Sequence, residues 1–321
     1  WMVVEADESD GSFSRLKPTV AIVTNIDAEH LDHHGSFENL ETAFENFITS
    51  IPFYGFAALC IDHPSVQKLL PAASDRRVIT YGLSANADVR AVNLRHEAGQ
   101  MLFDVQLSDR LEIAVDRLED VQFPMLGEHN VQNCLAAISI CLEMAIDPAV
   151  ILSGLRQFKG VGRRFDFKGE TDGITIIDDY GHHPVEIRAA LSAGRMRAEQ
   201  NKLIAVVQPH RYTRLRDLFS DFCACFNDAD HVIVSDVYAA GEAPIEGFER
   251  DDLVEGLRAW GHRSVHAMQD PSHLAAQIND LATSGDLVMC LGAGTVTQWA
   301  SSLPQELALL RSASPDKEAG E

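Results

Sequence analysis

The sequence predicts an α/β protein built on mostly parallel sheets, and three observations lead to that prediction. Short apolar segments rich in β-branched residues alternate with stretches of helical periodicity along most of the 321 residues. Clusters of carboxylates, histidines and arginines follow several of the strand-like segments, where open α/β sheets bind ligands. A glycine-rich, basic segment at residues 159–164 interrupts the alternation and predicts a domain boundary.

The first half of the chain is expected to hold an α/β core with a small antiparallel insertion. The core elements are strands at 19–24, 56–61 and 78–81 and helices at 38–49 and 64–70. Apolar and polar residues alternate with a period of two at 88–93, 101–106 and 111–115. This alternation predicts a three-stranded meander.

A long amphipathic helix is predicted over residues 129–145. Its apolar face consists of Val131, Cys134, Leu135, Ile138, Leu142 and Ala145, which recur at the spacing of one helix face. Pro148 is expected to open a second short helix that ends near Phe158.

The second half repeats the alternation of strands and helices. Strands are predicted at 174–177, 203–207, 231–234, 265–267 and 287–291, and helices at 184–197, 214–226, 251–260 and 272–282. Such alternation favours a doubly wound parallel sheet. We therefore divide the chain into domains at 1–159 and 160–311, followed by a polar, disordered tail at 312–321.

The composition excludes several classes of partner. With 48 acidic and 26 basic residues the net charge is −22, so a nucleic-acid backbone would be repelled. There is no polybasic face for a membrane and no apolar run of about 20 residues, and we expect no signal peptide. The six cysteines form no C-x-x-C pair, which favours a reducing, cytoplasmic location. Because the opening WMVVEADESD is typical of a strand end, we expect an N-terminal part of a longer protein to be missing.

Two acidic clusters follow the first two predicted strands. Glu5 begins a run of four carboxylates in six residues after a strand at residues 2–4, a composition suited to Mg²⁺. The next strand is followed by residues 25–34, in which His30 and His34 are spaced to chelate a metal on a helix. A solvated acidic loop and structural histidines remain the alternative.

A third cluster lies at the start of the long helix. Asn130 and Asn133 share one face of its first turn, and each carboxamide offers both a donor and an acceptor for an adenine. The alternative is that Asn130 or Glu128 caps the helix.

Three further clusters follow strands of the second half. Asp179, within DDYGHHP, could accept from ribose hydroxyls, and Pro184 fits the first position of a helix. Arg211 and Arg214, within QPHRYTR, suit an anion at a helix start, unless they pair with acidic neighbours in the helix. The glycine turn at residues 292–295 is a weak signal. No G-x-x-x-x-G-K-[ST] phosphate loop occurs in the sequence.

Taken together and in order, six motifs resemble those of the Mur ligases. The motifs are EADESD, NIDAEHLDHH, GEHNVQN, RRF, DDYGHHP and QPHRYTR. The resemblance extends from Trp1 to about Leu310. It implies an incomplete central ATPase domain, mostly a parallel sheet with a small antiparallel insertion. A Rossmann-like C-terminal ligase domain follows, while the UDP-binding domain and the phosphate loop are absent.

The resemblance also implies an activity and its small-molecule partners. Within the family it is greatest to the ligase that adds L-alanine to UDP-N-acetylmuramate. ATP phosphorylates the sugar carboxylate, and the amine attacks the acyl phosphate to form an amide. The implied cofactors are therefore ATP and Mg²⁺, and no nucleic acid or membrane is expected as a partner.

Residue roles follow from the matching motifs. The family pattern assigns Glu5 and His30 to two Mg²⁺ ions, Asn130 and Asn133 to adenine, Arg164 to the ATP phosphates and Asp179 to ribose. It assigns Arg211 to the acceptor carboxylate or acyl phosphate, and His183, His210, Arg214 and Tyr180 to the alanine or muramoyl side. We expect these residues to converge around one interdomain cleft. Several relatives carry a carbamylated lysine near the second metal, and we hypothesise that Glu45 supplies that charge here.

Two other activities and a non-catalytic role stay open. A murein-tripeptide recycling ligase of the same family shares the E-A-D-E start and the H-H-P turn, but it is expected to read E-Y-D where this chain has Glu8-Ser9-Asp10. A metal-dependent phosphoesterase is suggested by Asp32-His33-His34, although it leaves GEHNVQN and QPHRYTR unexplained. Without a phosphate loop the chain alone is expected to be inactive, acting at most as a binding domain.

Overall fold

The computed structural model describes residues 1–28, 31–113 and 115–312. The chain divides into two compact units, one holding residues 1–124 and 128–158 and the other residues 125–127 and the chain from Lys159 onward. The predicted tail lies outside the described residues except for Ser312, which ends a helix. His30 also lies outside them.

The first unit is a six-stranded mixed sheet packed against helices. Its strands are β1 (Val20–Val23), β2 (Phe56–Cys60), β3 (Arg77–Gly82), β4 (Val89–Glu97), β5 (Gln100–Leu107) and β6 (Arg117–Phe123). Its helices are α1 (Leu31–His34), α2 (Phe37–Thr49), α3 (Pro64–Gln67), α4 (Glu128–Glu143) and α5 (Pro148–Arg156). The strands lie in chain order, parallel from β1 to β4 and antiparallel from β4 to β6.

The α/β prediction is confirmed for this unit, and β2 shows why. All five of its residues are buried, as expected for a parallel strand covered on both faces. The predicted face of α4 is buried too, except for Ala145, which lies beyond the helix end, is exposed and has a φ of 55°. Asp147 then caps α5 by accepting from the Ala149 N–H, and Pro148 takes the first helical position as predicted.

Two predicted strands of the first unit are wrong. Residues 2–4 form no strand, because their side chains are exposed and no described strand pairs with them. The third meander strand is β6, not residues 111–115. The meander also contains bulges at Asn93 and Asp120, both with positive φ, which break the period-two pattern used to find it.

The second unit is a doubly wound sheet with one antiparallel edge. Its strands are β7 (Asp166–Thr171), β8 (Ile174–Asp179), β9 (Leu203–Val207), β10 (His231–Val234), β11 (Val265–Ala267) and β12 (Leu287–Leu291). Its helices are α6 (Pro184–Ala198), α7 (Tyr212–Asp217), α8 (Phe219–Ala224), α9 (Arg250–Ala259), α10 (Leu274–Leu281) and α11 (Val296–Ser312). The order is β11-β10-β9-β12-β8-β7, with only β7 antiparallel.

This strand order fixes where a ligand can bind in the second unit. After β8 the chain forms β9, two positions away in the sheet, and then β10 and β11 further along in the same direction. It then returns to form β12, which lies between β9 and β8. The order therefore reverses at β12, between β8 and β9, and doubly wound sheets bind ligands beyond the carboxyl ends of strands at such a point. Asp179, Gln208 and Gly292 all stand at these strand ends.

Two further findings concern the whole described part of the chain. None of its helices has both the length and the apolar character that crossing a membrane requires. All six cysteines are free thiols, and five of them are buried. The prediction that they act as small buried hydrophobes therefore holds for all but Cys141, which is partly exposed.

The Asp104 side chain forms hydrogen bonds to both bulges of the meander. Its carboxylate accepts hydrogen bonds from Asn93 Nδ2 at 2.7 Å, from Arg117 Nη2 at 2.5 Å and from the Asp120 N–H at 3.0 Å. The Asn93 and Asp120 hydrogen bonds and the pairing with Arg117 lower the pKa of Asp104 to about 2.

We predict that Asp104→Ala destabilises the first unit by about 1–3 kcal/mol, because three donors lose their acceptor. Hydrogen exchange of the β5 amides measures the effect; fluorescence is less suitable, since Trp1 of the first unit is exposed and Trp260 and Trp299 belong to the second unit. Asp75→Asn is the control, because Asp75 forms only an exposed pair with Arg76 and should change little.

The same contribution should depend on pH. The pKa of Asp104 is depressed in the folded state, so its stabilisation is complete above the unfolded pKa near 3.9 and is lost as the pH falls toward about 2. Equal exchange rates in wild type and Asp104→Ala at pH 7 would contradict the prediction.

Candidate functional site

The two acidic clusters of the first unit lie close together. His34 Nε2 is 2.8 Å from the Glu8 carbonyl oxygen, which joins the loop after residue 5 to α1. Glu5 itself is exposed, as is Glu45 on α2. No group of three metal-binding side chains is found in residues 1–28, 31–113 and 115–312.

Carboxylates at the ends of β1 and β2 have partners that the sequence did not reveal. Asp27 Oδ1 lies 3.4 Å from His63 Nε2. Asp62 accepts from Ser84 Oγ at 2.5 Å, from the Leu83 and Ser84 N–H groups and from Gln132 Nε2 at 2.7 Å. Burial opposes its ionisation, but these bonds lower the pKa of Asp62 below its ordinary value. Asp62 thereby anchors the first turn of α4.

The two asparagines proposed for adenine occupy that first turn. Asn130 is buried, with 7% of its surface exposed, whereas Asn133 is exposed on the neighbouring position of the helix face. Because Gln132 is tied to Asp62, the turn that carries both amides is fixed to the carboxyl end of β2.

In the second unit, Asp179 ends β8 and organises the surrounding loops. Its Oδ1 accepts from the Gly181 N–H and its Oδ2 from the Phe165 N–H, both at 2.8 Å. Burial raises the pKa of Asp179, against the effect of these two hydrogen bonds and of Arg164. The carboxylate therefore joins the strand to residues 163–165 and to the turn before α6.

Two arginines lie over the Tyr180 ring. The guanidinium carbons of Arg163 and Arg164 are 4.7 and 5.3 Å from its ring centre, within cation–π distance. Arg163 is held by Asp178, 3.8 Å away, and by a 2.9 Å hydrogen bond to the Gly292 carbonyl. The Arg164 guanidinium lies 3.6 Å from Glu186 Oε1.

The two histidines of the H-H-P turn have different environments. His183 is buried and its Nδ1 accepts from the Val185 N–H at 3.4 Å, so it caps α6. The His182 ring packs edge-on against Tyr180 and against His210, with the centres of the His182 and His210 rings 5.7 Å apart. His182 thus connects the cluster after β8 with the cluster after β9.

His210 lies at the centre of the basic cluster after β9. Its ring stacks on Tyr238 at 5.4 Å, and Arg214 Nη1 is 3.3 Å from its Nδ1. Burial lowers the pKa of His210 to about 4, and Arg214, His182 and Arg211 contribute by repelling the charged ring. The imidazole is therefore neutral at pH 7.

Arg211 has a strained backbone at the start of α7. Its φ is 70°, a region that costs a side-chain-bearing residue about 1–3 kcal/mol and is typical of functional sites. The Arg211 N–H donates to the Tyr238 carbonyl at 2.9 Å, and this bond to the loop after β10 helps to hold the conformation.

The loop between β10 and α9 brings two residues that sequence reasoning missed. Tyr238 stacks on His210, and the Glu242 carboxylate accepts from the Thr213 N–H at 3.0 Å and from its hydroxyl at 2.7 Å. Burial opposes ionisation, but these hydrogen bonds and Arg211 lower the pKa of Glu242. Nothing in the spacing of this segment marks either residue.

The side chain of Gln208 occupies the glycine turn at 292–295. Gln208 Oε1 accepts from the Val296 N–H at 3.1 Å, and its Nε2 donates to Thr295 Oγ1 at 3.0 Å. Asp178 Oδ2 accepts from Thr297 Oγ1 at 2.5 Å. These side chains satisfy donors of the first turn of α11, so the turn has a structural role.

Comparisons with known proteins agree with these motifs. The chain matches the Mur ligase middle domain over residues 2–141 and the Mur ligase glutamate ligase domain over residues 163–294. It is 57% identical to proteins named UDP-N-acetylmuramate–L-alanine ligase from Granulibacter bethesdensis, over 98% of this chain, and from Gluconobacter oxydans, over 97%.

The chain belongs to the Mur ligase family.

The fold agrees with that assignment. A UDP-N-acetylmuramate–alanine ligase structure from Thermotoga maritima superposes with a TM-score of 0.75 at 23% identity, covering 97% of this chain and 63% of that one. This Mur ligase chain spans 65% of the length of the Granulibacter and Gluconobacter relatives.

The candidate site residues of this Mur ligase chain fall into two groups. Asp179, Tyr180, His182, Arg164, His210 and Arg214 are linked by contacts within the second unit. Glu5, Asn130 and Asn133 belong to the first unit. The expectation that both groups share one cleft stays a prediction.

We predict that His210 titrates near pH 4 and that Arg214→Met moves its midpoint upward. The variant removes a repelling cation but leaves the burial in place, so the pKa should stay below that of a free histidine. NMR titration of the imidazole signals measures both values.

His266 provides the control for this titration. Burial lowers its pKa and Arg258 adds to the effect, so Arg214→Met should leave its midpoint in place. A His210 midpoint that stays near 4 in Arg214→Met would show that Arg214 does not contribute to it.

Proposed function

We propose that this chain is the later part of an ATP-dependent ligase that joins L-alanine to UDP-N-acetylmuramate in peptidoglycan precursor synthesis. One observation carries the proposal: cationic and neutral-imidazole groups meet at the carboxyl ends of β8 and β9, where His182 and His210 lie 5.7 Å apart. Relatives that are 57% identical carry the name of this ligase, which supports the choice of substrates.

The chemistry of the proposed reaction requires such groups. Phosphorylation of a carboxylate and displacement of the phosphate by an amine both depend on neutralising oxygen charge. Arg164, Arg211 and Arg214 supply fixed positive charge for this purpose, and arginine suits planar carboxylates and phosphates. We assign Arg211 to the acceptor carboxylate or acyl phosphate, and His210, Tyr180 and Arg214 to the substrate side.

His183 has a supporting role in this proposal. Its Nδ1 is engaged by the Val185 N–H, whereas the ring that packs against His210 is that of its neighbour His182. We therefore assign His183 to holding the start of α6 beside the reacting groups.

We assign ATP to Asn130 and Asn133 in the first unit and to Arg164 and Asp179 in the second. Asn133 is exposed and its carboxamide can pair with an adenine edge. Each Asp179 oxygen already accepts one backbone hydrogen bond and retains a lone pair for a ribose hydroxyl. An exposed carboxamide in the first unit and a carboxylate with lone pairs still available in the second are features that support a nucleotide ligand.

The assignment of Mg²⁺ to Glu5 and His30 depends on the resemblance. Bound there, the metal would neutralise phosphate oxygens. Glu5 is exposed and His30 lies outside the described residues, so no step is derived through the ion. The free thiols support a cytoplasmic location, which stays a prediction.

A chimera tests the proposal. We expect that this chain, replacing the part of the Granulibacter bethesdensis ligase that it matches, forms UDP-N-acetylmuramoyl-L-alanine from ATP, UDP-N-acetylmuramate and L-alanine. Arg211→Ala in the chimera should reduce kcat/KM by about 10²-fold or more, as for loss of a charge-stabilising donor. Product is measured by mass spectrometry and phosphate release, with Arg216→Ala, an exposed partner of Asp217, as control.

The alternatives give different products in the same assay. Incorporation of the murein tripeptide but not L-alanine would favour the recycling ligase. Hydrolysis of a phosphodiester without ATP would favour the phosphoesterase. The chain alone is expected to release no phosphate, and release that requires both L-alanine and UDP-N-acetylmuramate would contradict that expectation.

A further inference from the structure

We propose that Glu186 is a positioning residue that holds the His182 imidazole with its proton on Nδ1 and its Nε2 unprotonated. Glu186 lies on the first turn of α6, three residues after the helix cap His183. Glu186 lies outside the six sequence motifs.

The contacts of one carboxylate oxygen carry the proposal. Glu186 Oε2 accepts from the His182 N–H at 3.0 Å and from the His183 N–H at 3.2 Å. The same oxygen lies 3.3 Å from His182 Nδ1. The backbone and the ring of His182 are therefore held by a single atom, which restricts the orientation of the ring relative to the turn.

The partners of Nδ1 determine the tautomer. His182 Nδ1 is 3.1 Å from the Tyr180 carbonyl oxygen and 3.3 Å from Glu186 Oε2. Both are acceptors only, so a neutral ring satisfies them with a hydrogen on Nδ1. The proton of a neutral imidazole cannot occupy both nitrogens, and Nε2 consequently carries the lone pair.

The ring stays neutral despite its acidic partner. Burial lowers the pKa of His182; Glu186 acts to raise it, and Arg214 and His183 act to lower it. For Glu186, burial opposes ionisation, but His182, the two backbone donors and Arg164 keep its pKa below the ordinary value. A charged carboxylate beside a neutral imidazole is the arrangement that orients the base of a Ser-His-Asp triad.

The use of this tautomer depends on the proposed function. When the amine nitrogen bonds to the acyl carbon, the carbon–oxygen bond to phosphate breaks and the amine loses a proton. An unprotonated His182 Nε2, in the ring that faces His210, is an acceptor for that proton. The tautomer itself can be measured whether or not the chain has ligase activity.

A structural role alone would leave the tautomer unchanged, so the experiment is a ¹⁵N NMR spectrum of the full chain. The His182 signals, identified with His182→Gln, distinguish protonated from unprotonated Nδ1. We expect Nδ1–H to be the major form in wild type and in Glu186→Gln, which keeps an acceptor oxygen. In Glu186→Ala the Nδ1–H fraction should fall below that of wild type, because of the two acceptors only the Tyr180 carbonyl remains.

Asp252 offers a matched control in the same unit. It occupies the equivalent position of α9, where its carboxylate accepts from the Glu249 N–H at 2.8 Å. Asp252→Ala removes a helix cap of the same kind, so it should lower the melting temperature comparably and leave the His182 signals unchanged.

A second measurement covers the case in which Glu186→Ala does not fold. Glu186→Gln removes the negative charge that favours the imidazolium, so the pKa of His182 should be lower than in wild type. An Nδ1–H fraction in Glu186→Ala equal to that of wild type, or an unchanged pKa in Glu186→Gln, would overturn the proposal. Failure of the ligase assay with the expected spectra would instead count against the proposed function.

Discussion

A single buried carboxylate joins the segments on which the candidate site of the second unit depends. Asp179 accepts from the N–H of Phe165 and from that of Gly181, one bond to each loop beside β8. A buried carboxylate is costly unless it is hydrogen-bonded, so the two loops and the carboxylate stabilise one another. Tyr180, Arg164 and His182 owe their positions to these two loops.

The candidate site contains several arginines, although the protein as a whole is strongly acidic. The net charge is −22, yet Arg163 lies by Asp178, Arg164 by Glu186 and Arg214 by His210. Each guanidinium is therefore oriented before a ligand arrives, which reduces the entropy lost on binding. Anions are expected to be held by short-range contacts here, because the overall field opposes their approach.

The sequence predicted features that depend on local chemistry. DDYGHHP was correctly located at a strand end and helix start, because buried strands, an N-cap and Pro184 have short-range signatures. Tyr238 and Glu242 were missed, since they reach His210 and Thr213 from a loop whose spacing carries no period. The last meander strand was misplaced because a bulge at Asp120 interrupts its alternation, and this bulge is hydrogen-bonded to Asp104, a residue distant along the chain.

The amide of Gln208 changes what the glycine turn after β12 can do. In dinucleotide-binding domains, a turn of this kind leaves the N–H groups of the following helix open to a pyrophosphate. Here the side chain from β9 provides the oxygen that such a phosphate would provide. The domain thus has the sheet of a coenzyme-binding protein, but at this turn its own amide side chain links the end of β9 to the first turn of α11.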